Sequence, residues 1–129
     1  MNECARELEF AGGRYVFCLN DPKVLAVLNG TGPRCARVRS GVLTLDPLRG
    51  ANGDTPAACL RRFEDGAYSL PDIERILLYG LWGGGMSLSD ANGLITEHVR
   101  GKPIASNAAL AFEVLAALFI GAADAGASA

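Results

Sequence analysis

The sequence predicts an α+β fold, an N-terminal β-hairpin followed by a bundle of four to five short helices. Three observations carry this. Period-two alternation of apolar residues marks the start of the chain, on either side of Gly12-Gly13. Helix-start residues at Asp21, Ser69 and the Ser87/Ser89 pair each precede a run with helical spacing. Sixteen glycines and six prolines in 129 residues keep every element short. Half of the residues are hydrophobic and the net charge is only −2. A chain of this mass buries about two-thirds of its unfolded surface, enough for one core and not two, so residues 1–129 read as a single domain.

In the first strand Leu8 and Phe10 share a face; in the second, Tyr15, Phe17 and Leu19 alternate with Val16 and Cys18. Gly12-Gly13 supplies the positive φ of a tight turn. Two strands alone do not persist in water, so helices must cover the greasy face. Asp21-Pro22 then starts a helix that places Val24, Leu25 and Leu28 on one side and stops at Gly30 and Gly32-Pro33.

Residues 33–62 differ in charge. Six arginines (34, 37, 39, 49, 61 and 62) face only Asp46 and Asp54, a local +4. Residues 36–40 and 42–45 can pair across Gly41, and 48–56 read as loop, so 33–56 is expected to be an inserted, solvated basic segment. Lacking an interleaved aromatic, it offers no platform for stacking bases, and nucleic acid is not the expected partner. An adaptor role through Arg34, Arg37 and Arg39 stays as a lesser alternative.

A short helix at 57–65 closes at Gly66. Ser69 and Asp72 form the ends of a capping box, with Pro71 in the first turn. The helix that follows, 73–82, puts Ile73, Ile76, Leu77, Gly80 and Leu81 on one face, and Leu78, Tyr79 and Trp82 leave its other side apolar too. Gly83-Gly84-Gly85 reads as a cap and hinge; it follows a helix and precedes no Gly-Lys-Ser/Thr, so it is not a phosphate loop. The next helix points Leu88, Ala91, Leu94, Ile95 and Val99 inward and Asp90, Asn92, Thr96 and Glu97 outward, until Gly101-Lys102-Pro103 breaks it.

The last helix, 107–120, is greasy almost all round. Leu110, Val114, Ala117 and Leu118 make one stripe and Phe112, Leu115 and Phe119 a second; only Ala109, Glu113, Ala116 and Ile120 remain. Such a helix lies in the middle of a bundle or is covered by another chain. Residues 104–122 are not a membrane span, because a mid-bilayer Glu113 costs on the order of 2.5–3.5 kcal/mol. Residues 122–129 read as a frayed tail.

Chemistry is harder to find. The one histidine, His98, sits at a helix edge without an adjacent nucleophile. The acid pairs Glu64-Asp65 and Asp72 with Glu74 fall at helix ends, where they have ordinary structural work. Cys4, Cys18, Cys35 and Cys59 match no metal spacing and read as plain buried thiols. Acids near the start, Glu3 and Glu7, stand where a signal peptide needs a basic patch, so a cytoplasmic protein without disulfides is expected. No enzyme, cofactor or metal is expected.

Three stretches taken together, LEFAGGRYVFCL at 8–19, SLPDIERILLYGLWGGG at 69–85 and NAALAFEVLAALF at 107–119, with LRRFEDG at 60–66, resemble the gene-transfer-agent family of small phage tail proteins, grouped with tail assembly chaperones. The resemblance covers most of 7–121, apart from about 33–56. It implies one of two roles. A tail assembly chaperone binds the helical tape measure protein in the bacterial cytoplasm until tube subunits replace it. A virion structural protein of the tail tube or its completion region remains in the particle. Chain length and the single clear hairpin favour the chaperone. Its partners would be the tape measure protein, tail tube subunits or further copies of itself, met through Trp82, Phe112, Leu115, Phe119 and Ile120, with the Leu78, Tyr79 and Trp82 flank adding greasy surface.

Overall fold

The computed structural model describes residues 3–121; the tail expected at 122–129 lies outside the described residues. Strands β1 (Arg6–Phe10) and β2 (Gly13–Phe17) form an antiparallel hairpin. Phe10 faces Gly13, so the turn is Ala11-Gly12, with φ of 54° and 79°, one residue earlier than the glycine pair suggests. Helix α1 (Pro22–Leu28) follows, capped by Asp21, whose Oδ1 accepts from the Lys23 N–H at 2.9 Å.

The arginine-rich segment does form a second hairpin, β3 (Cys35–Val38) with β4 (Gly41–Thr44), as a separate two-stranded sheet. Helix α2 (Pro56–Asp65) starts at Thr55, whose hydroxyl accepts from the Ala58 N–H, and ends at Gly66, whose φ of 74° is the left-handed geometry a C-cap wants. Helix α3 (Leu70–Gly83) carries the expected capping box between Ser69 and Asp72. Helix α4 (Leu88–His98) is capped by Ser87. Helix α5 (Ile104–Ile120) begins three residues before the expected 107, and Pro103 at its N-cap position gives it no side-chain cap.

The middle of the bundle is α3, not α5. It packs against β2, α1, α4 and α5, and Ile73, Ile76, Leu77, Leu78, Tyr79 and Leu81 are all buried along it. The expectation that Leu78 and Tyr79 give a greasy outer flank is therefore corrected. The Tyr79 hydroxyl donates to the Asp46 carbonyl at 2.6 Å, and burial pushes that phenol up to about 12.

Gly84 caps α3 as expected, and it forms with Gly83, the last residue of the helix, a packing seam as well. A Cβ on Gly83 would overlap the Cys18 carbonyl oxygen, and one on Gly84 the Val16 carbonyl oxygen. At Gly80 a Cβ would press on Phe17 and Val114, both at 3.1 Å, while the Cys18 N–H donates to the Gly80 carbonyl at 2.9 Å. Only glycine lets the helix backbone lie this close to the end of β2.

Residues 33–56 are built into the core. Val38, Leu45 and Leu48 are buried, Leu48 completely. The segment is stapled by Arg62, which sequence reasoning left on a solvated basic face and which the structure buries. Its Nε and Nη2 donate to Asp72 at 2.9 and 2.7 Å, Nη2 also to the Leu48 carbonyl at 2.8 Å, and Nη1 to the carbonyls of Ala51 and Gly53 at 2.9 and 3.0 Å. All five guanidinium N–H groups thus have acceptors. Burial pushes the Asp72 carboxyl up, but the Arg62 hydrogen bonds and the Ser69 N–H outweigh it and hold that carboxyl below its ordinary value. Arg62, through its bond to Asp72, is raised.

Asn92, expected on the outer side of α4, is buried instead. The Arg39-Ser40 turn of the second hairpin covers it; the Arg39 N–H donates to Ser89 Oγ at 3.0 Å and the Arg39 guanidinium pairs with Asp90.

Candidate functional site: the outer face of the last helix

Helix α5 lies against α3, α2 and β1, and its inner side, Ala108, Ala111, Val114, Leu115 and Ala117, is buried. At 100° per residue, Ala105, Ala109, Phe112, Glu113, Ala116, Phe119 and Ile120 gather on the opposite side. Phe112 is 39% exposed, Phe119 45% and Ile120 53%. Glu113 is the sole charge on this face. Singly exposed apolar residues are ordinary, but a whole helix face of them is not.

The face has an extension. Beside Phe112, the Phe63 ring lies 6.4 Å away between centroids, and Phe63 stacks on Tyr68 at 4.8 Å and 9°, so an aromatic shelf from α2 and the following loop widens the patch. Sequence reasoning missed Phe63 and Tyr68, although the LRRFEDG stretch had drawn attention to the helix that bears Phe63. On a different side, at the N-terminal end of α5, exposed Leu70 and Ile104 flank a hollow of about 140 Å³ that Ile73 and Val99 also line, with Arg100, Lys102 and Asn107 around it.

Of the five residues expected to meet a partner, the structure gathers Phe112, Phe119 and Ile120 on this face. Leu115 is a correction. It is fully buried, because it stands about 40° around the helix from Phe119 and the edge of the core falls between them. Trp82 is half-buried elsewhere. It stands about 200° around α3 from Gly80, the residue that faces α5, and its ring lies 5.6 Å below the Lys23 ammonium of α1.

The remaining candidates sit apart. Arg34 and Arg37 are exposed on or beside β3, Arg39 is tied to Asp90, and Arg49 and Arg61 pair locally with Asp46 and Asp65. His98 lies edge-on to Phe10 at 6.2 Å. The thiols are not uniformly buried: Cys18 and Cys59 are, but Cys4 is intermediate and Cys35 exposed. Burial pushes Cys59 up to about 12, which makes it a poor nucleophile. Among the described residues no cluster of three metal-ligating side chains forms, and no helix is long and apolar enough to cross a membrane. The largest apolar surface described is thus the outer face of α5 with its aromatic shelf.

The family described as phage tail tube protein, GTA-gp10, matches residues 3–121. No curated protein and no solved structure matches the chain.

Proposed function

Because the chain belongs to the GTA-gp10 family of phage tail tube proteins, we propose that it acts without chemistry of its own as a tail assembly chaperone, holding segments of the tape measure protein during tail morphogenesis in the bacterial cytoplasm. The observation that supports this most directly is the outer face of α5, where Phe112, Phe119 and Ile120 stand exposed with a single charge among them. A protein that must shield a long helix and then release it needs an apolar surface of limited extent. Co-expression with the tape measure protein and pull-down tests the reading. Capture is expected with the native chain and lost in the Phe112→Ser/Phe119→Ser double variant with circular dichroism unchanged. Capture that survives the double variant rejects this face as the site.

A second reading, a subunit of the tail tube or its completion region, is favoured by the family's own description and by one feature of the fold. The two hairpins are separate two-stranded sheets, and hairpin edges are templates for pairing with neighbouring subunits in a ring. Mass spectrometry of purified particles separates the two: a chaperone is absent and a tube subunit is present in many copies.

A further inference from the structure

Five apolar residues on the outer side of α5 follow a register, beside which Ile120, 53% exposed, stands at a flanking position. Ala105, Ala109, Phe112, Ala116 and Phe119 are separated by four, three, four and three residues, the spacing of the a and d positions of a heptad repeat, and all five lie on the outer side. Ala109 and Ala116 take the a positions, Phe112 and Phe119 the last two d positions, and Ala105 the d position before them. This spacing belongs to a seam that meets another helix side-on, with knobs entering holes. We propose that α5 is one strand of a two-helix coiled coil whose other strand is a helix of a different polypeptide, running antiparallel, with large apolar residues facing Ala109 and Ala116, small ones facing Phe112 and Phe119, and a lysine or arginine facing Glu113. The proposal rests on the docking role given to this face above and specifies the partner's chemistry.

Charge and size select this occupant over a second copy. Two copies of α5 in parallel would set alanine on alanine and phenylalanine on phenylalanine, leaving thin and overfilled layers in alternation. Two copies in antiparallel register match alanine to phenylalanine, but they bring Glu113 to the middle of the seam opposite its own symmetry mate. A basic residue from a foreign helix removes that repulsion. Direction follows from the other end of the helix. The α5 N-terminus has neither a side-chain cap nor an acidic residue in its first turn, and Lys102 precedes it. The partially negative C-terminal end of an antiparallel partner is complementary there. A seam of only two heptads is short, which keeps the pairing reversible.

The test uses the full chain and two designed 21-residue peptides. Both carry leucine facing the alanines and alanine facing the phenylalanines; one bears Lys and the other Glu opposite Glu113. Isothermal titration is expected to show the Lys peptide binding about two- to five-fold tighter than the Glu peptide. Glu113→Lys, an exposed substitution that leaves the core alone, is expected to invert that order. Equal affinities, or an order unchanged by Glu113→Lys, overturn the register. A sedimentation experiment in which the chain alone forms a two-fold dimer that is lost in Phe112→Ser/Phe119→Ser overturns the foreign partner. If neither peptide binds while the tape measure protein is still captured, the coiled-coil mode fails and the chaperone reading stands. If the Lys peptide binds in the expected order and the tape measure protein is not captured, the chaperone reading fails alone.

Discussion

Helices α3 and α5 are both apolar around most of their circumference, yet the described residues enclose one and leave the other half open. On α3 the second greasy side, Leu78 and Tyr79, is covered by residues 33–56, held down by the Tyr79 hydroxyl on Asp46 and the Arg62 staple. On α5 nothing described comes after the helix to do the same, and Phe112, Phe119 and Ile120 remain in water. Apolar composition therefore does not say where a helix sits. What decides is whether the chain has a further layer to lay over it, and here that layer goes to α3.

The largest expected effect breaks the staple that gives α3 its cover. Arg62→Met removes one partner of a buried pair and leaves Asp72 in the interior without compensation, which costs about 3–5 kcal/mol and is read by urea unfolding at pH 7. The pH dependence gives the sign. In the native chain the Asp72 carboxyl is held low, so its contribution is present above the unfolded carboxyl value of about 4 and is lost as pH falls through the folded one. Without Arg62, burial raises that carboxyl, and the folded variant gains a proton on acidification. The gap between native and variant should accordingly narrow from pH 7 to pH 3.5. A constant gap would mean that Asp72 is not the group that Arg62 neutralises.

The contrast between the two helices also marks what was legible in the residues. Caps at Asp21, Ser69 and Ser87, the hairpin around the N-terminal glycines and the pairing across Gly41 depend on neighbours a few positions away, and all were readable. The apolar stripes of α5 were readable too, but not the angle at which the core cuts them, which is why Phe119 and Leu115 share a stripe and have different fates. Arg62 looked like one more cation in a basic stretch, since its acceptors, the carbonyls of Leu48, Ala51 and Gly53, are backbone groups that carry no residue-type signal. The seam glycines failed in the opposite way: a Gly-Gly-Gly run has an obvious local use as a cap, and that use hid the close approach to β2.

An intermediate effect sharpens the comparison at that approach. Gly83→Ala puts a methyl group where the Cys18 carbonyl oxygen stands, and backbone cannot step aside as a flexible side chain can. Overpacking of this kind costs about 1–3 kcal/mol, measurable as a lowered midpoint in thermal unfolding. Gly85→Ala does not test the seam, because nothing lies within 4 Å of its would-be Cβ and its φ of 112° brings a backbone penalty instead. Were Gly83→Ala to unfold at the native temperature, the close packing of α3 on β2 would be wrong.

The smallest effect on stability is expected on α5, and it is the one on which the asymmetry stands or falls. Phe112 and Phe119 are already 39% and 45% exposed, so truncating them gives up only part of the burial that a core phenylalanine holds. Phe112 touches the Phe63 and Tyr68 shelf and has the larger share to lose, while Phe119 has no aromatic neighbour among the described ring contacts. Phe119→Ser should therefore cost only about 1–1.5 kcal/mol in urea unfolding, whereas Ile76→Ala on α3, fully buried, should cost about 2–5 kcal/mol. A Phe119→Ser cost that approaches that of Ile76→Ala would show the outer face already covered in solution, by a second copy of the chain or by residues beyond Gly121. A cost no larger than the expected one, with capture of the tape measure protein abolished, would mean that this face is kept for a partner and contributes little to holding the fold together.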